Sequence, residues 1–193
     1  MEFFDEVYRG APTWDIHRAQ REYVALEESG KIAGDVLDVG SGTGENALFL
    51  AGRGHVVWGI DRAPRAIAIA REREPERGCA VPFPVRDALN LHWLDRTFGT
   101  VIDSGLFHVL GDFECPPYVR SFSRVLRPGG RCFMLAFSDL EPGEFSLPRR
   151  VASGEVRESF SIGWRIDPIR PAVFESRIRP EGSLAWLSAL TRV

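Results

Sequence analysis

The sequence predicts an α/β fold built on an open, doubly wound, mostly parallel sheet with helices on both faces. Short β-branched apolar runs alternate with amphipathic helical stretches, and a glycine-rich turn stands between the first such run and the helix that follows. Size agrees. A chain of 193 residues, 44% hydrophobic and 26% charged, suffices for one such sheet, so residues 1–193 are expected as one domain with an N-terminal lid or helix segment over 1–30.

Tyr23, Leu26 and Ala19 share one face of a helix expected from Arg18 to Ser29, stopped by Gly30. The first strand is Val36–Val39, and the helix opening at Glu45 runs to Arg53, before Gly54. Val56–Ile60 is the second strand, and Pro64 suits the first turn of a helix through Ala66 to Arg73. A third strand within Ala80–Arg86 is short and edge-placed, because Pro82 and Pro84 cannot donate to a ladder. Thr100–Asp103 is the fourth. Pro117 starts a helix through Val119, Phe122 and Val125, which the LRPGG segment (126–130) turns into a fifth strand, Arg131–Phe137. Ser153 is the expected N-cap of a last helix that ends near Gly163. Two strands close the chain, Trp164–Glu175 and Leu184–Thr191, with an antiparallel turn over Arg179-Pro180-Glu181-Gly182.

Composition excludes several function classes. Net charge is −3 with basic residues scattered among acids, so no concentrated basic footprint marks a nucleic-acid partner. No apolar stretch approaches the roughly 20 residues of a membrane span, and the MEFFDEVYRG start lacks a signal peptide's basic and apolar regions. Cys79, Cys115 and Cys132 form neither a disulfide framework nor a zinc motif. A reduced, cytoplasmic protein with a small-molecule partner is expected, as a monomer or small homo-oligomer.

The chemistry concentrates in Asp38-Val39-Gly40-Ser41-Gly42-Thr43-Gly44, between strand and helix. Open parallel sheets bind ligands beyond the carboxyl ends of their strands, and glycine lets backbone approach a ligand closely. Asp61 closes the second strand 23 residues after Asp38, where a carboxylate can accept both hydroxyls of a ribose. The glycines fall at 40, 42 and 44, and Glu45 occupies the place of the third dinucleotide glycine. A carboxylate there repels a pyrophosphate and suits a helix's first turn. A nicotinamide-dependent reductase is the alternative enzyme; Lys31, the lone lysine, precedes the glycine turn and leaves no Tyr-xxx-Lys pair. A non-catalytic cofactor-binding module is the other alternative.

The stretch VLDVGSGTGENALFLAGRGHVVWGID (36–61) resembles the first two signature motifs of class I S-adenosylmethionine-dependent methyltransferases. Arg86-Asp87-Ala88 resembles the motif after strand three, Asp103-Ser104-Gly105 that at the end of strand four, and LRPGG the turn before strand five. The resemblance, strong over residues 30–140, implies a Rossmann-like sheet of seven strands in order 3-2-1-4-5-7-6 with strand seven antiparallel. It implies S-adenosylmethionine as cofactor, with Gly40, Ser41, Gly42 and Gly44 lining its methionine end and Asp38 holding the ammonium group directly or through water. Asp61 would bind the ribose, Arg62 would flank the adenine, Asp87 with the Ala88 backbone would read the adenine edge, and Asp103 would lie near the methionine. Trp14-Asp15-Ile16 also resembles the lid of the small thiopurine, thiol and halide methyltransferase-like group. There an aromatic covers cofactor and acceptor. Here the motif continues His17-Arg18-Ala19-Gln20 rather than with glycine and prolines, and Trp14 can equally anchor the first helix.

The expected reaction is in-line methyl transfer to an O, S or N nucleophile of a small molecule, such as a phenolic or heteroaromatic compound. A hydroxyl acceptor needs a base, and His108, just past the fourth strand, is the candidate; a polar histidine at a helix start is the alternative. Halides and thiolates need none. His17, His55 and His92 are expected to be structural or surface residues. Phe107, Phe137 and Phe145 are candidates for an acceptor wall or for core, and Arg149-Arg150 for an anion site or a solvated loop. Asp103 and Asp139 suggest two ligands of a catechol-type Mg²⁺ site, but Leu140 stands where the third is needed, so no metal is expected.

Overall fold

The computed structural model describes residues 2–143 and 148–193. Its six strands form one sheet in the order β2-β1-β3-β4-β6-β5: β1 is Val36–Val39, β2 Val57–Ile60, β3 Phe98–Ser104, β4 Leu126–Phe137, β5 Trp164–Ser176 and β6 Arg179–Arg192. β2, β1, β3 and β4 run parallel, while β6 is antiparallel to both β4 and β5. The expected order holds with its first edge strand missing.

Where that strand was expected, the Gly59 amide donates to the Pro82 carbonyl and the Arg86 amide to the Asp61 carbonyl. A single bridge joins Asp61 to Val85. Pro82 and Pro84 remove the amides a continuous ladder needs, so the segment follows β2 without becoming a strand.

Strict alternation along the central strands fills two cores. Leu37, Val39, Val101, Cys132, Met134 and Ala136 face α5 (Cys115–Val125) and α6 (Ser153–Ser159), which contribute Tyr118, Phe122 and Val156, with Phe160 just past α6. Val36, Ile102, Phe133 and Leu135 face α2 (Arg21–Glu28), α3 (Glu45–Gly52) and α4 (Pro64–Arg77), which supply Tyr23, Leu26, Leu48, Leu50 and Ile67. Among the described residues no helix is long and apolar enough to cross a membrane.

Several boundaries differ from expectation. α2 starts at Arg21, because Gln20 is extended and tied to β5: Gln20 and Glu175 exchange hydrogen bonds, and Arg18 pairs with Glu175 at 2.9 Å. The LRPGG segment lies inside β4 as an excursion, with Phe98 opposite Leu126 but Thr100 opposite Arg131. The closing turn is Arg177-Ile178, so Arg179–Gly182 belongs to β6. Ser153 is the first residue of α6, and Ala152 takes the cap position without a side-chain bond. A short helix α1, Glu2–Val7, precedes everything the sequence pattern marked.

Candidate active site

A cleft of about 430 Å³ opens beyond the carboxyl ends of β1, β2 and β3. The glycine turn forms its floor. Gly40 and Gly42 adopt φ of +64° and +54°, which side chains disfavour. A Cβ on Gly40 would lie 3.0 Å from the Leu106 Cβ, and one on Gly42 2.8 Å from the Tyr8 hydroxyl. The turn is therefore pressed between the N-terminal segment and the loop after β3, and Ser41 lines the cleft with both glycines. Gly44 (φ +83°) instead packs under the turn, where a Cβ would meet Phe83, and then α3 begins.

Three acids approach this floor with different surroundings. Asp61 lines the cleft, and its Oδ2 and Oδ1 accept from the amides of Gly42 (3.0 Å) and Ala63 (2.8 Å). Burial raises its pKa against the pull of those amides. Asp38 is wholly buried beneath the turn rather than on the cleft wall, and neither oxygen has a well-formed hydrogen-bond partner. Burial, with the nearby charges of Asp103 and Asp61, pushes its pKa well up; the Ala47 amide only partly opposes this.

Asp103, expected near the methionine end, is turned inward. Its side chain does not reach the cleft: it accepts from the amides of Leu106 (2.7 Å) and Phe107 (3.0 Å) and from the Tyr118 hydroxyl. Burial raises its pKa to about 6 despite those donors. Its work is to cap the 3-10 turn Phe107–Val109 that presents His108. Arg62, Asp87 and Ala88 line the cleft, as do Ser104 and Gly105. Asp87 accepts the Leu89 amide at 2.9 Å, which shapes the loop at the adenine position implied by the resemblance.

The N-terminal segment roofs the cleft. Trp14 is 36% exposed and lines it, donating Nε1–H to the Tyr8 hydroxyl at 3.1 Å; Tyr23, fully buried, is the residue that anchors α2. Tyr8 is the residue sequence reasoning missed. It is a buried tyrosine between the glycine turn and Asp61, and burial beside that carboxylate raises its pKa. Its only sequence signal was an aromatic in a segment without helical periodicity. Asp15, His17 and Glu45 bring metal-capable atoms within 4.8 Å of one another. The Arg73 guanidinium stands among them, 2.9 Å from both carboxylates, and Arg77 reaches Glu45 at 2.7 Å. The cluster is thus an internally neutralised clamp joining lid, α3 and α4. Neutralisation also mutes the repulsion that Glu45 implied against a pyrophosphate.

On the far side of the glycine turn the wall is apolar: Leu106, Val109, Leu110, Phe137 and Phe174. Phe107 is core rather than wall, fully buried against Tyr118 and Phe160. Phe145 lies outside the described residues. His108, 5% exposed, lines the cleft in a three-ring cluster with Phe137 and Phe174, whose centroids are 4.7 and 5.6 Å away. Its Nδ1 accepts the Phe137 amide at 3.1 Å. Burial, aided by the Arg149 guanidinium, lowers its pKa to about 3. Arg149 is committed to the Leu110 and Phe107 carbonyls and to Glu155 and is not among the residues lining the cleft. Asp139 accepts from Trp186 and Ser138, while Asp103 is turned toward the Leu106 amide.

Residues 36–130 match a methyltransferase domain family. The 2-heptyl-1-hydroxyquinolin-4(1H)-one methyltransferase of Mycobacteroides abscessus is 39% identical over 182 residues, 89% of this chain and 80% of that protein. The demethylmenaquinone methyltransferase of Thermus thermophilus is 39% identical over 130 residues, 66% of this chain and 57% of its own length. A solved structure from work on conversion of a disulfide bond into a thioacetal group during echinomycin biosynthesis superposes with TM-score 0.88 at 36% identity, covering 99% of this chain and 92% of that one. The site fits the cofactor such enzymes share: among the described residues the buried Asp38 carboxylate and Ser41 hydroxyl have no well-formed hydrogen-bond partner at the glycine turn, and Gly40, Ser41 and Gly42 line the cleft there. The chain belongs to this family and is a class I S-adenosylmethionine-dependent methyltransferase.

Proposed function

We propose that this enzyme methylates a hydroxyl oxygen on a flat, apolar heteroaromatic small molecule of the hydroxyquinolone type. The observation that carries the reading is the apolar wall beyond the glycine turn, Leu106, Val109, Leu110, Phe137 and Phe174, with the buried His108 set among them. The hydroxyquinolone methyltransferase, similar over 89% of the chain, supports the same acceptor class.

S-adenosylmethionine supplies a methyl group activated on a sulfonium sulfur. In this reading Gly40, Ser41 and Gly42 hold the methionine end, and Asp38 favours its ammonium group from beneath the turn. Asp61 takes the ribose hydroxyls with lone pairs left over from its two amide bonds. Arg62, Asp87 and Ala88 frame the adenine. Trp14 and Tyr8 close the roof and exclude water. Alignment of acceptor and methyl by such walls is worth roughly 7–11 kcal/mol of the barrier.

A sulfur acceptor is the second reading, favoured by the 36% identity to the structure from the disulfide-to-thioacetal work. Transfer of labelled methyl to a panel of 1-hydroxyquinolin-4-ones, phenols, quinols, dithiols and halides separates the two. Preferential labelling of the hydroxyquinolones is expected. Labelling of dithiols alone would overturn the oxygen assignment.

A further inference from the structure

The expected part for His108 was a base that removes the acceptor's proton. The geometry points elsewhere. A neutral imidazole has one lone pair, on the nitrogen without hydrogen. Here Nδ1 accepts the Phe137 amide, so that lone pair is engaged and the proton belongs on Nε2. Among the described residues Nε2 has no partner, and it stands over Gly105, where an added Cβ would come within 3.0 Å of it. Phe137 and Phe174, themselves in edge contact, both pack against the ring, and the Asp103 carboxylate caps the turn that carries it.

We propose that His108 serves the reaction as a fixed neutral donor through Nε2–H, and that the enzyme takes acceptors that reach the cleft already deprotonated. This rests on the oxygen-acceptor reading above. The class it selects is an acidic hydroxyl, such as an N-hydroxy heterocycle, whose conjugate base exists in water near neutrality. The anion's oxygen lone pair forms the bond to the methyl carbon as the carbon–sulfur bond breaks, and that electron pair neutralises the sulfonium. No proton moves in this step, so the balance needs no base. The donor holds the anion in line and disfavours acceptors that offer nothing to receive its hydrogen.

Surrounding charges agree. The charged group beside the ring is the Arg149 guanidinium, which opposes a second proton on His108. The Asp103 carboxylate is turned toward the Leu106 and Phe107 amides and Tyr118. Glu114, the remaining carboxylate on this side of the cleft, accepts the Gly111 amide at 2.9 Å.

The test uses the full-length enzyme and 1-hydroxyquinolin-4-ones whose ring substituents vary the hydroxyl pKa. The apparent pKa of the rate at low acceptor concentration should move with that of each acceptor. A constant value across the series would assign proton removal to an enzyme base and overturn the proposal. His108→Leu should lower the rate on anionic acceptors about 10- to 150-fold, the loss of a hydrogen bond to a charged group. His108→Gln, which can accept from Phe137 and donate into the cleft, should restore most of it; equal loss in both variants would overturn the donor role. Nitrogen NMR of the His108 ring in the cofactor-bound enzyme gives a readout that needs no acceptor. The Nε2–H tautomer should persist from pH 5 to 8, and titration near 6.5 would overturn the proposal. If no hydroxyl acceptor is methylated while the tautomer persists, the oxygen-acceptor reading has failed and the neutral state of His108 has not.

Discussion

Replacement of Asp61 tests the cofactor geometry most directly. Its two oxygens each accept one backbone amide, Gly42 from the glycine turn and Ala63 from the start of α4, so the side chain ties two elements together as well as facing the cleft. In Asp61→Ala both amides lose their acceptor at about 1–3 kcal/mol each, so stability should fall by roughly 2–6 kcal/mol. At about 2–4 °C per kcal/mol for a chain of this size, the melting temperature should drop by roughly 4–24 °C. Asp61→Asn keeps one oxygen and turns an NH₂ toward the other amide, so it should lose roughly half as much. Affinity is the second readout. Loss of a charge-assisted bond to the ribose is worth roughly 1.5–3 kcal/mol, a factor of about 10–150 in Kd. Calorimetry with both S-adenosylmethionine and S-adenosylhomocysteine separates the causes, because the two share the ribose and differ in sulfur charge. Equal losses are expected in Asp61→Asn. A tenfold larger loss for S-adenosylmethionine alone would refute the ribose role and make Asp61 a counter-ion to the sulfonium. Unchanged affinity for both would place the ribose elsewhere.

Gly42→Ala should weaken cofactor binding at least tenfold and lower stability by about 1–3 kcal/mol, since φ is positive and the methyl would displace the Tyr8 hydroxyl; calorimetry and thermal unfolding check both. Arg73→Ala leaves the largely buried Asp15 and Glu45 facing each other and should destabilise by roughly 3 kcal/mol in thermal melts. Activity of the unmodified enzyme should survive chelation by EDTA, and its restoration by Mg²⁺ alone would contradict the arginine clamp. His108 shapes the acid side of the stability profile. Its folded pKa of about 3 lies below the unfolded value of 6.5, so the unfolded chain binds the extra proton and stability falls as pH drops from 6.5 toward 3. Denaturant titrations at pH 7 and 5 should show wild type losing about 2 kcal/mol more than His108→Gln over that interval. Asp103 acts with the opposite sign: its raised pKa of about 6 destabilises the fold as pH rises from 3.8 through 6, so only the wild-type-minus-variant difference isolates His108.

The α/β class and the glycine floor were legible in the sequence because each has a local cause, while the strand order followed from the family resemblance. Buried parallel strands need apolar β-branched runs, a strand-to-helix turn with positive φ needs glycine, and a carboxylate ending β2 lies beside that turn by topology. Gly40, Ser41, Gly42, Asp61, Arg62, Asp87 and Ala88 all reach the cleft for that reason. The missing edge strand was half legible: Pro82 and Pro84 foretold a weak edge, but whether its remaining amides could sustain a ladder depended on the approach of β2.

Directions of side chains, long-range pairings and charge states were decided by the tertiary structure alone. Asp103 and Asp38 carry the motif pattern, yet one turns inward to cap the His108 turn and the other is sealed beneath the glycines. The N-terminal segment lacks periodicity because what holds it is scattered: Tyr8 against Gly42, Asp15 on Arg73, Arg18 on Glu175. His108 has an ordinary imidazole in the sequence. A backbone amide from β4, two aromatic neighbours and the Arg149 guanidinium make it a neutral donor, and those partners lie 29 to 66 residues further along the chain. Local sequence determines which groups are present at the end of a strand. Only packing sets which atoms face the cleft and which protonation state the surroundings permit.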